Sequence, residues 1–354
     1  MSGNRLFLGG LLVLAAGLIA APNLAYSQEW KDGVLQPLAD GFPNKPITLI
    51  NVDDAGTNSG IYVRALQEAI KDMSPVEIRI SDEPRAAGGT INTLAEVEDS
   101  RDGGADGYFL VSMSIIGSAT DFLSEPITKE TGVEVDDVNY MISTEVVPWL
   151  FAQRADAPWG NDFAKFVEYG KANPGKIKYI APGVGSGTDI FMTWLLDQLG
   201  LEVNNVPAED REASTAPVAG GEGDITMTQP AVALAAGDRL KVLLLSTPQI
   251  PDAFAGPGVV SSKDYATFKI EDVAWGTYNG VMVPAVVPAD HVAWLHALLS
   301  KATETDSYKK RVETVPGLVI SVLSTEDANA FAKKAVAAAE PIVRKAGLHW
   351  EDNQ

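Results

Sequence analysis

The chain contains no cysteine. That absence alone removes disulfides, thiolate metal sites, thiol nucleophiles and a lipid-modified cysteine at the mature terminus. Histidine is nearly as scarce: His291, His296 and His349 are the only three, all near the carboxyl end. His291 and His296 are five residues apart and so share no helix face well enough for a metal pair, and all three histidines are expected at the surface. Positive charge is also in deficit, with 27 Lys and Arg against 47 Asp and Glu and a net charge of −20. The acids are spread along the sequence, which argues against nucleic acid or an anionic membrane as partner. It also obliges any anionic ligand to depend on local donors. No Gly-x-Ser-x-Gly elbow, Gly-Lys-Ser/Thr phosphate loop, dinucleotide fingerprint or spaced acidic calcium loop occurs. An enzyme's nucleophile, base or metal set is therefore missing, and the expectation is a protein with no enzymatic activity, no cofactor and no metal.

Long apolar runs are absent after residue 30, where every hydrophobic stretch is broken by charge, Gly or Pro. The one exception precedes it. Arg5 is followed by an unbroken apolar run from Leu6 to Ala21, then Pro22 and small residues to Ser27. This is the order of a secretory signal peptide over residues 1–27, with Ala25 and Ser27 at the −3 and −1 positions of a cleavage site. The run is shorter than the roughly 20 residues of a spanning helix. The expected product is a monomer exported to the periplasm, with net charge −21 once Arg5 is removed.

Between these limits the chain alternates short β-rich runs with helical patterns. Ile47 to Val52, Val76 to Ile80, Tyr108 to Met113, Val138 to Ser143, Lys176 to Ala181, Asp224 to Met227, Leu240 to Ser246 and Trp275 to Val283 read as strands. Ser59 to Met73, Gly89 to Asp99, Asn161 to Ala172, Asp189 to Leu199, Asp290 to Thr303 and Thr325 to Ala346 read as helices. Such alternation predicts an α/β fold with mainly parallel sheets covered by helices, and the length favours two lobes. Crossing strands are expected near Thr144 to Phe151 and Ala274 to Val283. This gives a discontinuous lobe 1 of residues 43–146 plus 277–348 and a lobe 2 of residues 147–276. Ligand sites in such folds lie at the carboxyl ends of the strands, in the crevice between lobes.

Three strand-to-helix turns are built from small residues with free amides, where the helix end favours an anion. The first is Asp53-Asp54-Ala55-Gly56-Thr57-Asn58-Ser59-Gly60, the second Ala86-Ala87-Gly88-Gly89-Thr90, and the third Gly183-Val184-Gly185-Ser186-Gly187-Thr188-Asp189. Aromatic residues Tyr62, Trp149, Trp275 and Tyr278 fall near the proposed crevice and crossings, as stacking partners for a ligand or as core.

With these segments in view, the sequence resembles the substrate-binding receptors of tripartite tricarboxylate transporters, often called Bug proteins. The resemblance rests on Pro43 to Ile50, on Ala87-Gly88-Gly89-Thr90-Ile91, on Asp106-Gly107-Tyr108, on Lys171 to Tyr179, on the turn from Gly183 to Thr188 and on Gly237 to Leu243. It implies a two-lobed, periplasmic-binding-protein-like "Venus flytrap" that closes on a small carboxylate and delivers it to a membrane permease. By position it implies ligand contacts from Ala55, Gly56, Thr57, Asn58 and Ser59, and from Ala87, Gly88, Gly89 and Thr90. Gly185, Ser186, Gly187, Thr188 and Asp189 would close from the other lobe, with Ser114, Thr228 and Gln229 as lesser contacts. The chain departs from the family pattern at Asp53-Asp54, whose carboxylates would repel an anion. Either they are solvated or cap the helix, or the ligand carries a positive group or a bridging cation. A sensor kinase as the partner, or a secreted enzyme, are the alternatives to a transport receptor.

Overall fold

The structure, a computed structural model, describes residues 28–53, 58–85, 89–209, 211–271, 273 and 275–353. The expected signal segment and its cleavage point lie outside them. A two-strand hairpin, β1 (Trp30–Lys31) and β2 (Val34–Leu35), comes first. It is followed by β3 (Ile47–Asn51), α1 (Asn58–Ile70), β4 (Ile78–Asp82), α2 (Gly89–Ser100), β5 (Phe109–Ser114), α3 (Ile115–Ser124), α4 (Ile127–Thr131) and β6 (Val138–Val147). The chain continues through β7 (Leu150–Arg154), α5 (Phe163–Ala172), β8 (Lys178–Pro182), α6 (Gly187–Leu199), β9 (Asn204–Ala208), α7 (Arg211–Ala219) and β10 (Ile225–Thr228). Next come α8 (Pro230–Ala236), β11 (Leu240–Leu245), β12 (Val260–Ser261) and α9 (Tyr265–Phe268). It finishes with β13 (Thr277–Pro284), α10 (Ala289–Ala302), α11 (Asp306–Thr314), β14 (Val319–Leu323) and α12 (Thr325–Lys345).

These elements form two six-stranded sheets of order β4-β3-β5-β13-β6-β14 and β9-β8-β10-β7-β11-β12. In the first, β3, β4, β5 and β6 run one way and β13 and β14 the other. In the second, only β7 opposes the rest. The sheets are thus mainly parallel, as the alternation implied, and each has its second strand at one edge and its first between second and third. The inserted fourth position is taken by a strand that arrives from the other sheet. Helices cover both faces, so β6 and β13 are buried almost throughout, including the polar Ser143, Thr144, Glu145 and Asn279.

The chain passes between sheets after Val147 and again before Thr277. The two passages are clipped together where Trp149 Nε1 donates to Thr277 Oγ1 at 3.0 Å. A third connection is made by packing. Along α12, Ala328 and Ala332 lie in the core over the first sheet with Ile50 and Met113. Ala335, Ala339, Ile342 and Val343 lie in the core of the second sheet with Phe191 and Trp194. α3 divides in the same manner, with Ala119 in one core and Ile116 and Leu123 in the other. No helix among the described residues is long and apolar enough to cross a membrane.

Candidate functional site

Parallel strands that hand directly to helices gather their strand-to-helix turns at one edge of a sheet. In the first sheet these turns join β3 to α1, β4 to α2 and β5 to α3; in the second, β8 to α6, β9 to α7 and β10 to α8. Every residue selected from the sequence belongs to five of the six. Ala55, Gly56, Thr57, Ala87 and Gly88 lie outside the described residues, while Asn58, Ser59, Gly89 and Thr90 open α1 and α2. Ser114 ends β5 and stands at the N-cap of α3, Gly185 to Asp189 open α6, and Thr228 and Gln229 precede α8. The sixth turn, at Glu209, was not selected. It packs on the glycine-rich one, with Gly183 N–H donating to the Ala208 carbonyl at 3.0 Å.

The turn before α6 is held by its own polar groups. Ser186 Oγ caps the helix by accepting from Asp189 N–H at 3.3 Å, and it donates to the Pro182 carbonyl at 2.6 Å. Asp189 is buried and accepts from Gly185 N–H at 3.0 Å and from the Tyr179 hydroxyl at 3.1 Å. Burial pushes its carboxyl above the usual range. Thr188 is buried with its hydroxyl 3.0 Å from Ser186 Oγ. Gly185, Ser186 and Asp189 therefore shape the turn, and the amides of Gly187 and Thr188 are the first-turn donors to which a helix assigns no internal partner. Gly187 has its own packing reason: a Cβ there would lie 3.1 Å from the buried Trp149 ring. Thr228 is fully buried and its hydroxyl accepts from Thr215 at 3.1 Å, while Gln229 is half-buried.

On the first sheet the charged side chains beside the turns are engaged. Arg64 meets Asp82 at 2.6 Å, Arg85 meets Glu96 at 2.6 Å and Arg101 meets Glu83 at 2.6 Å. Each of these acids at the end of β4, Asp82 and Glu83, is held below the usual carboxylate range chiefly by its arginine. Buried Asn51 brackets the next turn, donating through Nδ2 to the Asp53 carbonyl at 2.6 Å and to Asp82 at 2.9 Å. Asp53 itself is exposed; Asp54 lies outside the described residues. A Cβ on Gly89 would lie 2.3 Å from Arg85 Cβ, so only glycine lets the strand end approach the start of α2. With these cations paired, the donors for an anion at this edge among the described residues are helix amides and hydroxyls rather than a free guanidinium or ammonium.

Packing decides between the two readings of the aromatic residues and corrects that of the histidines. Tyr62, Trp149, Trp275 and Tyr278 are all buried in the cores. They are structural aromatics, and Trp149, Trp275, Phe191 and Trp194 form one ring cluster in the second sheet's core. The histidines are not a surface set either: His291 and His349 are buried and His296 is half-buried. His291 Nδ1 lies 2.8 Å from the Asp106 carbonyl and Nε2 lies 2.7 Å from the Asp40 carboxylate, with Phe42 stacked on the ring. Held at both nitrogens, the ring pins the amino-terminal segment to α10. Asp40, Asp290 and His291 are the one trio of metal-ligating side chains to converge among the described residues, and both ring nitrogens of His291 are already engaged, by the Asp106 carbonyl and the Asp40 carboxylate. Cavities of about 420 Å³ beside α8 and β11, and of about 520 Å³ between α4 and α12, are lined by none of the strand-end turns.

Sequence reasoning missed one charged group altogether. Glu145 is fully buried in β6, where it accepts from Asn279 Nδ2 at 2.9 Å, from the Tyr308 hydroxyl at 2.9 Å and from Arg311. A signal was present, since a carboxylate inside the apolar run Tyr140 to Phe151 requires a buried partner.

Comparison with known proteins places these features. A family model described as the tripartite tricarboxylate transporter family receptor matches residues 63–348. A UPF0065 protein of Cupriavidus necator is 23% identical over 313 residues, covering 88% of this chain and 91% of the relative. Among solved structures, a TctC solute-binding protein from Polaromonas, without ligand, superposes with a TM-score of 0.72 at 20% identity, over 86% of this chain and 99% of the other. MatC from Rhodopseudomonas palustris with bound malate gives 0.55 at 18% identity, over 85% of this chain and 100% of that one. At these identities the two structures speak to the fold, which is that of periplasmic solute-binding proteins.

Proposed function

Since the chain belongs to the tripartite tricarboxylate transporter receptor family, we propose that it is a periplasmic receptor that captures a small carboxylate between two lobes and delivers it to the membrane permease of such a transporter. Residues 43–146 and 277–348 form one lobe around the first sheet, and 147–276 the other around the second. The chain is exported by the segment ending near Ser27 and acts as a monomer. The ligand lies between the strand-end turns, met by Ala55 to Ser59, Ala87 to Thr90 and Ser114 from one side. Gly185 to Asp189, Thr228 and Gln229 serve the other side, with Gly187 and Thr188 supplying amides and the remainder shaping the turn.

One observation carries this reading. Three parallel strands in each sheet end in helix amino termini at a common edge, and beside the first sheet's turns Arg64 and Arg85 are already paired. Such an edge offers an anion aligned amides and a favourable dipole. The malate in MatC gives the ligand class from which to start. The exposed carboxylate of Asp53 favours, within that class, acids that also bear an amine.

The test is a thermal-shift screen of protein unfolded and refolded to strip bound ligand, against malate, other di- and tricarboxylates, aromatic acids and amino acids. A native-state ligand at 100 times its Kd stabilises by about 2.7 kcal/mol through mass action. A shift for one acid class supports the receptor and names the class; no shift with any acid removes the carboxylate reading. A bulky substitution at Gly187 is a poor test because it strikes the Trp149 ring. Thr90→Val and Ser114→Ala leave the backbone undisturbed and serve better.

A further inference from the structure

A β-bulge lies close behind the strand ends of the first sheet. Asn279 pairs with Glu145 but Gly280 pairs with Ser143, so Thr144 is the extra residue of β6. A bulge cancels the usual alternation and allows adjacent residues to serve one face, and here both Thr144 and Glu145 reach the same buried groups. Gly280 permits it: a Cβ at that position would lie 2.0 Å from the Ile142 carbonyl oxygen.

The donors in this cluster can be assigned by counting protons. The Glu145 carboxylate only accepts, so the single Tyr308 proton points to it across 2.9 Å. The Tyr308 oxygen must then accept from Thr144 Oγ1 at 2.7 Å, and Thr144 in turn accepts from Tyr62 at 3.0 Å. The result is a one-directional chain, Tyr62 to Thr144 to Tyr308 to Glu145, closed by Arg311 from α11. Burial, reinforced for each by the neighbouring charge of Glu145, pushes both phenols above their ordinary range and keeps them protonated.

Stability alone is a weak account of this arrangement. An apolar replacement of a buried ion pair is often neutral or better, and Arg311 Nε has no hydrogen-bond partner among the described residues. Its placement is more informative. Tyr62 is one turn into α1, Glu145 is two residues before the end of β6, and Asn279 is two residues after the start of β13. Asn279 also stands opposite Ser114 at the end of β5. The chain therefore ties the helix that opens at the first turn to both strands that pass between the sheets.

We propose that Tyr62, Thr144, Tyr308 and Glu145 are positioning residues that fix the amino end of α1 against the ends of β5 and β13, so that ligand affinity depends on a hydrogen-bond chain buried behind the turns. The affinity part rests on the strand-end turns being the ligand site; the positioning part does not. The two are separated by measuring both in the mature chain for Tyr62→Phe, Thr144→Val and Thr144→Ser.

Hydrogen exchange by mass spectrometry without ligand reads the positioning. Loss of one net hydrogen bond should speed exchange at amides 62–66 by about 2- to 10-fold in Tyr62→Phe and Thr144→Val. Thr144→Ser should restore it, and the strands of the second sheet should not change. Calorimetric titration with malate should show Kd weakened by a similar factor in the first two variants only. Exchange that rises uniformly through the protein, or not at all in α1, overturns the proposal. So does a malate affinity that stays at the wild-type value while α1 loosens. If malate fails to bind the wild-type protein, the malate reading falls and the exchange result decides the positioning by itself.

Discussion

Replacing Arg311 by Met tests the buried cluster at its most expensive point. Glu145 has no solvent exposure, and Arg311, at 12% side-chain exposure, supplies the only opposing charge it meets among the described residues. Methionine of similar length fills the space but leaves the carboxylate with two neutral donors, Asn279 and Tyr308. Breaking a buried pair in this manner costs about 3–5 kcal/mol, against a total stability of about 5–15 kcal/mol. With a urea slope of about 3 kcal/mol/M, the unfolding midpoint should fall by about 1–2 M. Urea titration followed by tryptophan fluorescence reports it through the ring cluster around Trp149 and Trp275. The double variant with Glu145→Gln removes the stranded charge and should recover more than half of the loss, because most of the penalty belongs to the unpaired carboxylate. A midpoint shift below about 0.3 M, or a double variant no better than Arg311→Met, would refute the reasoning.

Gly280→Ala places a methyl against the Ile142 carbonyl and should cost about 1–3 kcal/mol, read by calorimetry, whereas the same change at Gly132, where nothing is close, tests only backbone strain. Thr277→Val leaves the Trp149 indole N–H without its acceptor and should lower stability by about 1–3 kcal/mol in a urea titration; an unchanged midpoint would mean that the clip is replaced by water. The pH dependence follows from Asp40, whose carboxyl is lowered mainly by its hydrogen bond to His291. A carboxyl with a depressed folded value stabilises the fold above its unfolded pKa near 3.8 and loses that contribution as pH falls through the lower folded value. Asp40→Asn should therefore flatten the acid limb of a pH–stability curve below about pH 4.

Strand and helix periodicity carried most of the fold. β3, β5, β8, β10 and β11 fall within two residues of their expected runs, because strands buried on both faces must be apolar along their length. β9 and β14 were missed for the opposite reason. They are edge strands of their sheets, and neither Asn204–Ala208 nor Val319–Leu323 is buried, so neither needs a continuous apolar pattern. α3 escaped notice because Ile115 follows β5 without a turn residue. The turns of the candidate site were legible because glycine at a close approach leaves a mark in the sequence, as at Gly89. The buried Glu145 cluster was not, since its members come from Tyr62, Asn279, Tyr308 and Arg311 and only folding brings them together. His291 misled for a related reason: its partner Asp40 is 251 residues away.

The longest helix has a mechanical consequence. The two passages between sheets are single stretches of chain, after Val147 and before Thr277. α12, with 21 residues and a length of about 30 Å, is seated at one end among Ile50 and Met113 and at the other among Phe191 and Trp194, with Pro341 interrupting its hydrogen-bond ladder inside the second end. A helix gripped at both ends forbids sliding and leaves rotation about its own axis as the cheap motion; anything wider must strip its last two turns from an apolar bed. In the receptor proposed above, opening would be limited by the fit of Ala335, Ala339 and Ile342, residues remote from the turns at the strand ends, and enlarging one of those alanines should change how far the lobes separate without altering the residues that meet the ligand.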